Sequence, residues 1–266
     1  GGSNTESWIP RHALEADNLL ASYIHNWRSA DFIQDFCRER ANKNLAESKN
    51  KNQRHPYAPA YNYEAGISKW VNTELKAVLW YQGESNAHNL ELHQHLSTTL
   101  ISSWRTAFKQ QLPFYFVQLS SLNRPSWPAF RNQQRQLARS IENCYMAVSS
   151  DLGDSLDVHP KEKIIIGQRI ANLMLQHSYN QHLNADAPQP LSYKQNQQKL
   201  LITFDNCRSL NTKDKAPILG FQLLDNHGNL IDVTDAVSHK NTVEITLPPQ
   251  PIAQVLYAYR PFTRAN

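Results

Sequence analysis

Cysteine is scarce in this chain of 266 residues: Cys37, Cys144 and Cys207 are the only three. They stand far apart with no CxxC pair, which excludes a zinc knuckle and a dense disulfide framework and leaves room for one bridge at most. Long apolar runs are missing as well. The longest, AVLW, FYFV and KIIIG, fall far short of the roughly 20 residues that span a bilayer, so no membrane helix and no membrane partner is expected. Nor is there a strong charge of one sign, because 27 Lys and Arg against 23 Asp and Glu leave a net +4. The densest basic stretch, RERANKNLAESKNKNQR at 38–54, reads as a solvated face, and nucleic acid is not an expected partner. The opening Gly-Gly-Ser supplies neither an initiator Met nor a targeting segment, which leaves the compartment open.

What is present suits a folded core. Hydrophobic residues make up 40% and aromatics 10%, enough for one large domain or a large one with a small companion. KAVLWYQG (76–83), PFYFVQLS (113–120) and CYMAVSSD (144–151) are nearly continuous apolar runs of the kind buried on both faces of a parallel sheet. Leu92, Leu96, Leu100, Ile101, Trp104 and Phe108 fall at helical spacing between the first two. After the third, Pro160 stands where a first helical turn accepts it, and Ile166, Ile170, Leu173 and Met174 continue an apolar stripe. Alternation of this kind predicts a three-layer α/β domain over residues 1–190, with its functional loops at the carboxyl ends of the strands. Residues 12–58, polar and partly helical, read as an elaboration over one sheet edge. From about 190 the period changes to two, with Val243-Ile245-Leu247 and Val255-Tyr257-Tyr259 alternating and Asn226-His227-Gly228-Asn229 as a hairpin turn. This predicts a small antiparallel β unit over 191–266.

Three loops are then the places for chemistry: YQGESNA, QLSSLNRPSW and SSDLGDSLDVHP. Two serines compete as nucleophile. Ser85, in Gly83-Glu84-Ser85-Asn86-Ala87, follows a strand and precedes a helix, but Ala replaces the final Gly of a nucleophile elbow, and a Ser capping the next helix is the plainer expectation. Ser155 lies in a literal Gly-Asp-Ser-Leu, yet a nucleophile four residues before its own base would have to double back to meet the ring. His159 is the strongest single residue, two positions after Asp157 on a loop at a strand's end, where a general base with an orienting carboxylate belongs. His88, Glu91, His93 and His95 read as a polar helix surface, since no HExxH or third ligand follows. Trp8, Trp80 and Trp127, in or near the loops, suit sugar stacking or the core.

Taken with WYQGESNA and DLGDSLDVHPKEK, the opening GGSNTESW, HPYAPAYNYEAGI (55–67), LPFYFVQL, Arg131 to Gln134 and GFQLLDNHG make the chain resemble the sialate O-acetylesterase family of the SGNH hydrolase superfamily. The resemblance implies a three-layer, flavodoxin-like α/β/α hydrolase domain and removal of O-acetyl groups from sialic acid or related sugars, without metal or cofactor. It implies His159 as general base, Asp157 as its acid, and Gly2 (backbone N–H) and Gln82 (side-chain amide) as oxyanion donors. Asp154 stands as the other candidate acid, because the superfamily often places the acid three residues before the His, here Leu156. Glu84 and Asn86 are expected to brace Gln82 or meet sugar hydroxyls, and Arg131 to meet the substrate carboxylate or form a salt bridge. Such enzymes carry the nucleophile in a Gly-Gln-Ser-Asn block upstream of the Gly-Gly loop. That block is absent here, so the chain is expected to begin after the nucleophile, to stop early at PFTRAN, and to be inactive alone, with Ser155 a coincidence. Two rival readings are a catalytically inactive carbohydrate-binding protein and a GDSL-type esterase using Ser155. A sheet lacking its first strand would expose an edge, from which a homodimer is expected. A periplasmic or secreted location follows from the resemblance alone.

Overall fold

The computed structural model describes residues 2–25, 27–50, 52–212, 216–263 and 265. Gly1 of the opening motif and Arg264 and Asn266 of PFTRAN therefore lie outside the described residues. The chain packs as two compact units, Gly1–Leu119 with Phe130–Tyr145, and Ser120–Ala129 with Met146–Asn266.

The first unit opens with a 3₁₀ turn, Thr5–Trp8, followed by the short helices α1 (Arg11–Ala16), α2 (Asp35–Leu45) and α3 (Tyr61–Ala65). Strand β1 (Val78–Trp80) leads to helix α4 (Leu90–Phe108), β2 (Phe114–Val117), α5 (Trp127–Ser140) and β3 (Cys144–Ala147). The sheet order is β1-β2-β3, and β1 runs parallel to β2 with Val78 opposite Phe114 and Trp80 opposite Phe116. All four residues of β2 are buried, as a central strand covered on both faces requires. Helix α4 holds the expected stripe, with Leu96, Leu100, Ile101, Trp104 and Phe108 buried, and Trp104 lies edge-on or tilted against Trp80, Phe108 and Phe114. Its start is capped by Asn89, whose side chain accepts from the Leu92 N–H. The capping role expected of Ser85 thus belongs to Asn89, because the helix begins only at Leu90.

In the second unit, helix α6 (Lys163–His177) buries Ile166 and Leu173. It starts three residues after Pro160, later than expected, because Lys161 and Glu162 still form the turn in which the Lys163 N–H meets the Lys161 carbonyl. Strands β4 (Gln189–Asn196), β5 (Lys199–Asp205), β6 (Phe221–Asp225), β7 (Leu230–Asp232), β8 (Val237–His239), β9 (Thr242–Thr246) and β10 (Ile252–Tyr257) follow. They form two antiparallel sheets, β4-β5-β9-β8 and β10-β6-β7. Leu200 and Ile202 of β5, Phe221 and Leu223 of β6, and Val243 and Ile245 of β9 meet in one core, which accounts for the period-two pattern of the sequence. The β6–β7 turn falls on Asn226–Asn229, with Gly228 at φ +84° and the Asp225 carboxylate accepting from the His227 and Asn229 backbone N–H groups. Among the described residues no helix is long and apolar enough to cross a membrane. The fold is mixed α/β with a parallel strand pair and an antiparallel β unit towards the carboxyl end.

Candidate active site

The loop after β3 carries Asp157 and His159, the acid and base expected from the sequence. Its backbone is pinned from several sides within the second unit: Arg169 of α6 donates to the Val148 carbonyl at 2.7 Å and to both Asp151 carboxylate oxygens at 2.7 Å. Gly153 is required by close approach. A Cβ there would stand 2.0 Å from the Ser121 carbonyl oxygen and 2.6 Å from the Ser121 nitrogen. The Gly-Asp-Ser-Leu letters thus owe their glycine to packing. Gly153→Ala is expected to cost about 2 kcal/mol, since the neighbour is backbone and must shift, and to lower the thermal midpoint by roughly 4–8 °C in a scanning calorimeter. An unchanged midpoint would show that the two loops slide apart freely.

Beyond Gly153, the Asp154 carboxylate accepts from the Leu156 N–H at 2.8 Å and the Asp157 N–H at 3.3 Å, building a tight turn. Asp157 accepts from the His159 backbone N–H at 2.9 Å, and the same oxygen lies 3.2 Å from Nδ1 of the ring. Both carboxyls are held below the ordinary range, Asp154 by the Leu156 and Asp157 N–H groups and Asp157 chiefly by the His159 N–H. Asp154 therefore organises the turn, while Asp157 is the carboxylate that touches the imidazole. The His159 side chain is 81% exposed. Among the described residues no hydroxyl is hydrogen-bonded to its ring, and Ser155 contributes its backbone carbonyl to the Asn123 N–H.

In the first unit the amino-terminal loop and the YQGESNA loop interlock. Gly2 has φ +85°, a left-handed conformation that favours glycine, and its carbonyl accepts from Ser85 Oγ at 2.8 Å. Ser85, 3% exposed, is spent on holding that loop. Gln82 Oε1 accepts from Thr5 Oγ1 at 2.7 Å, and its amide nitrogen donates to Asn86 Oδ1 at 2.7 Å and to the Ser3 carbonyl at 3.2 Å. Asn86 also accepts from the Thr5 N–H at 2.9 Å and donates to Glu6 Oε2 at 2.9 Å. Asn86 is thus a brace for Gln82. Glu84 is partly buried and raises the Tyr81 phenol electrostatically, adding to the burial that pushes it to about 12.

Other expectations fare differently. Arg131 is 4% exposed and desolvation lowers it to about 10, so its side chain is packed inside the first unit. Trp127 is a core residue donating to the Ser120 carbonyl, and Trp8 and Trp80 meet edge to face at 6.0 Å, so two of the three loop tryptophans are paired with each other and the third is buried. His88 contacts the Phe32 carbonyl, His93 is buried against Phe130 and lowered to about 3, and His95 pairs with Asp17. The residue that sequence reasoning passed over is Glu6. It is 1% exposed, takes the amides of Asn4 and Asn86, and is raised by burial to about 7. A carboxylate in a polar stretch between Thr5 and Ser7 gives no hint of burial; only the apolar neighbours Trp8 and Ile9 do.

Residues 47–176 match the model of a family described as carbohydrate esterase, sialic acid-specific acetylesterase. Sialate O-acetylesterase from Rattus norvegicus is 27% identical over 251 residues, covering 80% of this chain and 45% of the rat protein. The protein of that name from Mus musculus is 34% identical over 131 residues, covering 41% of this chain and 24% of its own length. The chain thus spans less than half the length of these curated relatives. The crystal structure of a carbohydrate acetylesterase from Xanthomonas citri superposes on the whole chain with a TM-score of 0.74, at 21% identity and over 55% of its own length, which shows a shared fold. Over residues 47–176, this chain is thus similar to the sialic acid-specific acetylesterase family of carbohydrate esterases.

Proposed function

We propose that the chain supplies the general base and the oxyanion donors of a carbohydrate O-acetylesterase, acting on O-acetylated sialic acid or a related sugar, and that the nucleophilic serine comes from outside these 266 residues. The single observation that carries this is the Asp157–His159 pair: a ring oriented through Nδ1, open to solvent, and without a hydroxyl partner among the described residues. A serine placed at Nε2 would lose its proton to His159 as it attacks the acetyl carbonyl, and the imidazolium so formed would be stabilised by Asp157. The carbonyl oxygen becomes anionic in the tetrahedral intermediate, and the family resemblance suggests the Gly2 N–H and the Gln82 amide as donors to it. Collapse returns the proton from His159 to the departing sugar hydroxyl. Water, deprotonated by the same ring, then releases acetate from the serine. For Gln82 to take part, the oxyanion must replace the Ser3 carbonyl, the longer of its two amide contacts at 3.2 Å.

The test is hydrolysis of an aryl acetate. The 266-residue chain alone is expected to show no turnover above background, and a longer protein that joins it to a Gly-Gln-Ser-Asn block ahead of Gly2 to hydrolyse both the aryl acetate and an O-acetylated sialoside. Turnover by the shorter chain that Ser155→Ala abolishes would assign the reaction to the Gly-Asp-Ser-Leu serine, and loss on Ser85→Ala to an α/β-hydrolase elbow; either defeats the proposal. Saturable heat with acetylated sialosides and no acetate released by the longer protein would make it a carbohydrate-binding protein instead.

A further inference from the structure

Glu6 has no part in the reaction just described, yet it is the most deeply committed carboxyl in the first unit. We propose that Glu6 is a positioning residue that fixes the orientation of the Gln82 amide through Asn86, an inference that rests on the reading of Gln82 as an oxyanion donor. The relay follows from donors and acceptors. Asn86 has one face with two hydrogens and one with an oxygen, and swapping them costs little in a neutral setting. Here Glu6 Oε2 accepts from Asn86 Nδ2 at 2.9 Å, which forces the amide oxygen the other way. That oxygen meets the Thr5 N–H at 2.9 Å and Gln82 Nε2 at 2.7 Å. Were Asn86 reversed, its oxygen would face a carboxylate and its NH₂ would face two donors, so the negative charge selects one of the two states. Gln82 inherits the choice: its nitrogen must face Asn86 Oδ1 and the Ser3 carbonyl, and its oxygen the Thr5 hydroxyl.

The remaining Glu6 oxygen is secured independently by Asn4 Nδ2, which also donates to the Tyr57 carbonyl at 3.0 Å, and the Glu6 backbone carbonyl accepts from the Ala60 N–H at 2.9 Å. The carboxyl can therefore neither rotate away nor reach solvent. The titratable groups that sense its charge, Tyr23 and Cys37, are buried and driven higher by that burial and by Glu6 itself, Cys37 to about 12, so neither ionises in the range where Glu6 does. Glu6 thus changes charge near neutrality while Tyr23 and Cys37 stay neutral.

Side-chain amide resonances test the relay in the 266-residue chain without reference to activity. In Glu6→Gln, the ¹H–¹⁵N signals of both Asn86 and Gln82 are expected to move, while those of Gln134, whose amide donates to the Val117 carbonyl, stay in place. If Glu6→Gln does not fold, the wild-type chain is titrated instead, and the Gln82 amide is expected to follow a midpoint near 7. A Gln82 signal that ignores Glu6 in the variant, or in the titration, overturns the proposal. In the longer protein, Glu6→Gln is expected to lower kcat about tenfold or more with KM little changed, and to add nothing to Gln82→Ala, since losing a donor outright costs roughly 10²–10³ in turnover. Additive losses would show that Glu6 acts by a route other than Gln82. A Gln82→Ala enzyme with full kcat would sink the oxyanion reading alone, leaving the resonances to judge the relay.

Discussion

His159→Ala is expected to reduce acetyl-ester turnover by the longer protein roughly 10²–10⁴-fold, with the loss in kcat and little change in KM. The ring has an Nδ1 fixed by Asp157 and an Nε2 with no hydrogen-bond partner among the described residues, which is what a proton acceptor needs in order to deliver its lone pair at one angle. Being 81% exposed, it contributes little to packing, so the variant should fold like the wild type, and a thermal midpoint alongside the kinetics would verify this. The two neighbouring carboxylates separate by substitution. Asp157→Asn keeps a carbonyl oxygen for the His159 backbone N–H but removes the charge facing the ring, so it should lower kcat while preserving the loop. Asp154→Asn retains the acceptor for Leu156 and Asp157 and touches no part of the imidazole, so its effect should be small. If Asp154→Asn proved the more damaging, the turn-building role given to it here would be wrong. If His159→Ala kept full activity, the esterase chemistry would have to be sought elsewhere in the protein.

Much of this was legible in the residues, and the reasons differ from place to place. The buried run FYFV and the stripe from Leu96 to Phe108 announced a covered strand and a packed helix because burial on two faces, or on one helical face, leaves a period in the sequence. The pairing of Asp157 with His159 was readable because both partners lie in one turn, where local geometry brings them together. Contacts between distant segments left no such trace. Nothing in GGSNTESW shows that Thr5 will meet Asn86, or that Ser85 will donate to the Gly2 carbonyl instead of capping a helix. The burial of Arg131 was hidden for a related reason: a basic residue after a strand reads as exposed, and only its packing on α5 takes it out of solvent. Gly153 was read as part of a four-letter motif when its role is steric, set by Ser121 more than thirty positions earlier.

The buried carboxyl that the sequence hid has the clearest thermodynamic signature. Burial raises Glu6 from 4.5 to about 7, against the opposing effect of the Asn86, Asn4 and backbone hydrogen bonds. An acid whose folded-state value lies above its unfolded value binds more protons folded than unfolded, so its contribution is fully present below about 4.5 and is lost as the pH rises through 7. At about 1.36 kcal/mol for each pH unit, the rise is worth roughly 3 kcal/mol between pH 4 and pH 8. Asp154, Asp157, Asp225 and Asp232 are all shifted the other way, which would mask the trend in the wild type taken alone. Those contributions are common to wild type and Glu6→Gln and cancel in the difference between them. Urea unfolding of both proteins across this range is therefore expected to show the wild type losing about 3 kcal/mol relative to the variant, most of it between pH 4.5 and 7. A difference that stays constant would mean that Glu6 keeps its ordinary value near 4.5 in the folded protein, its amide donors balancing the loss of water, and the carboxylate would then already hold Asn86 in one orientation at neutral pH.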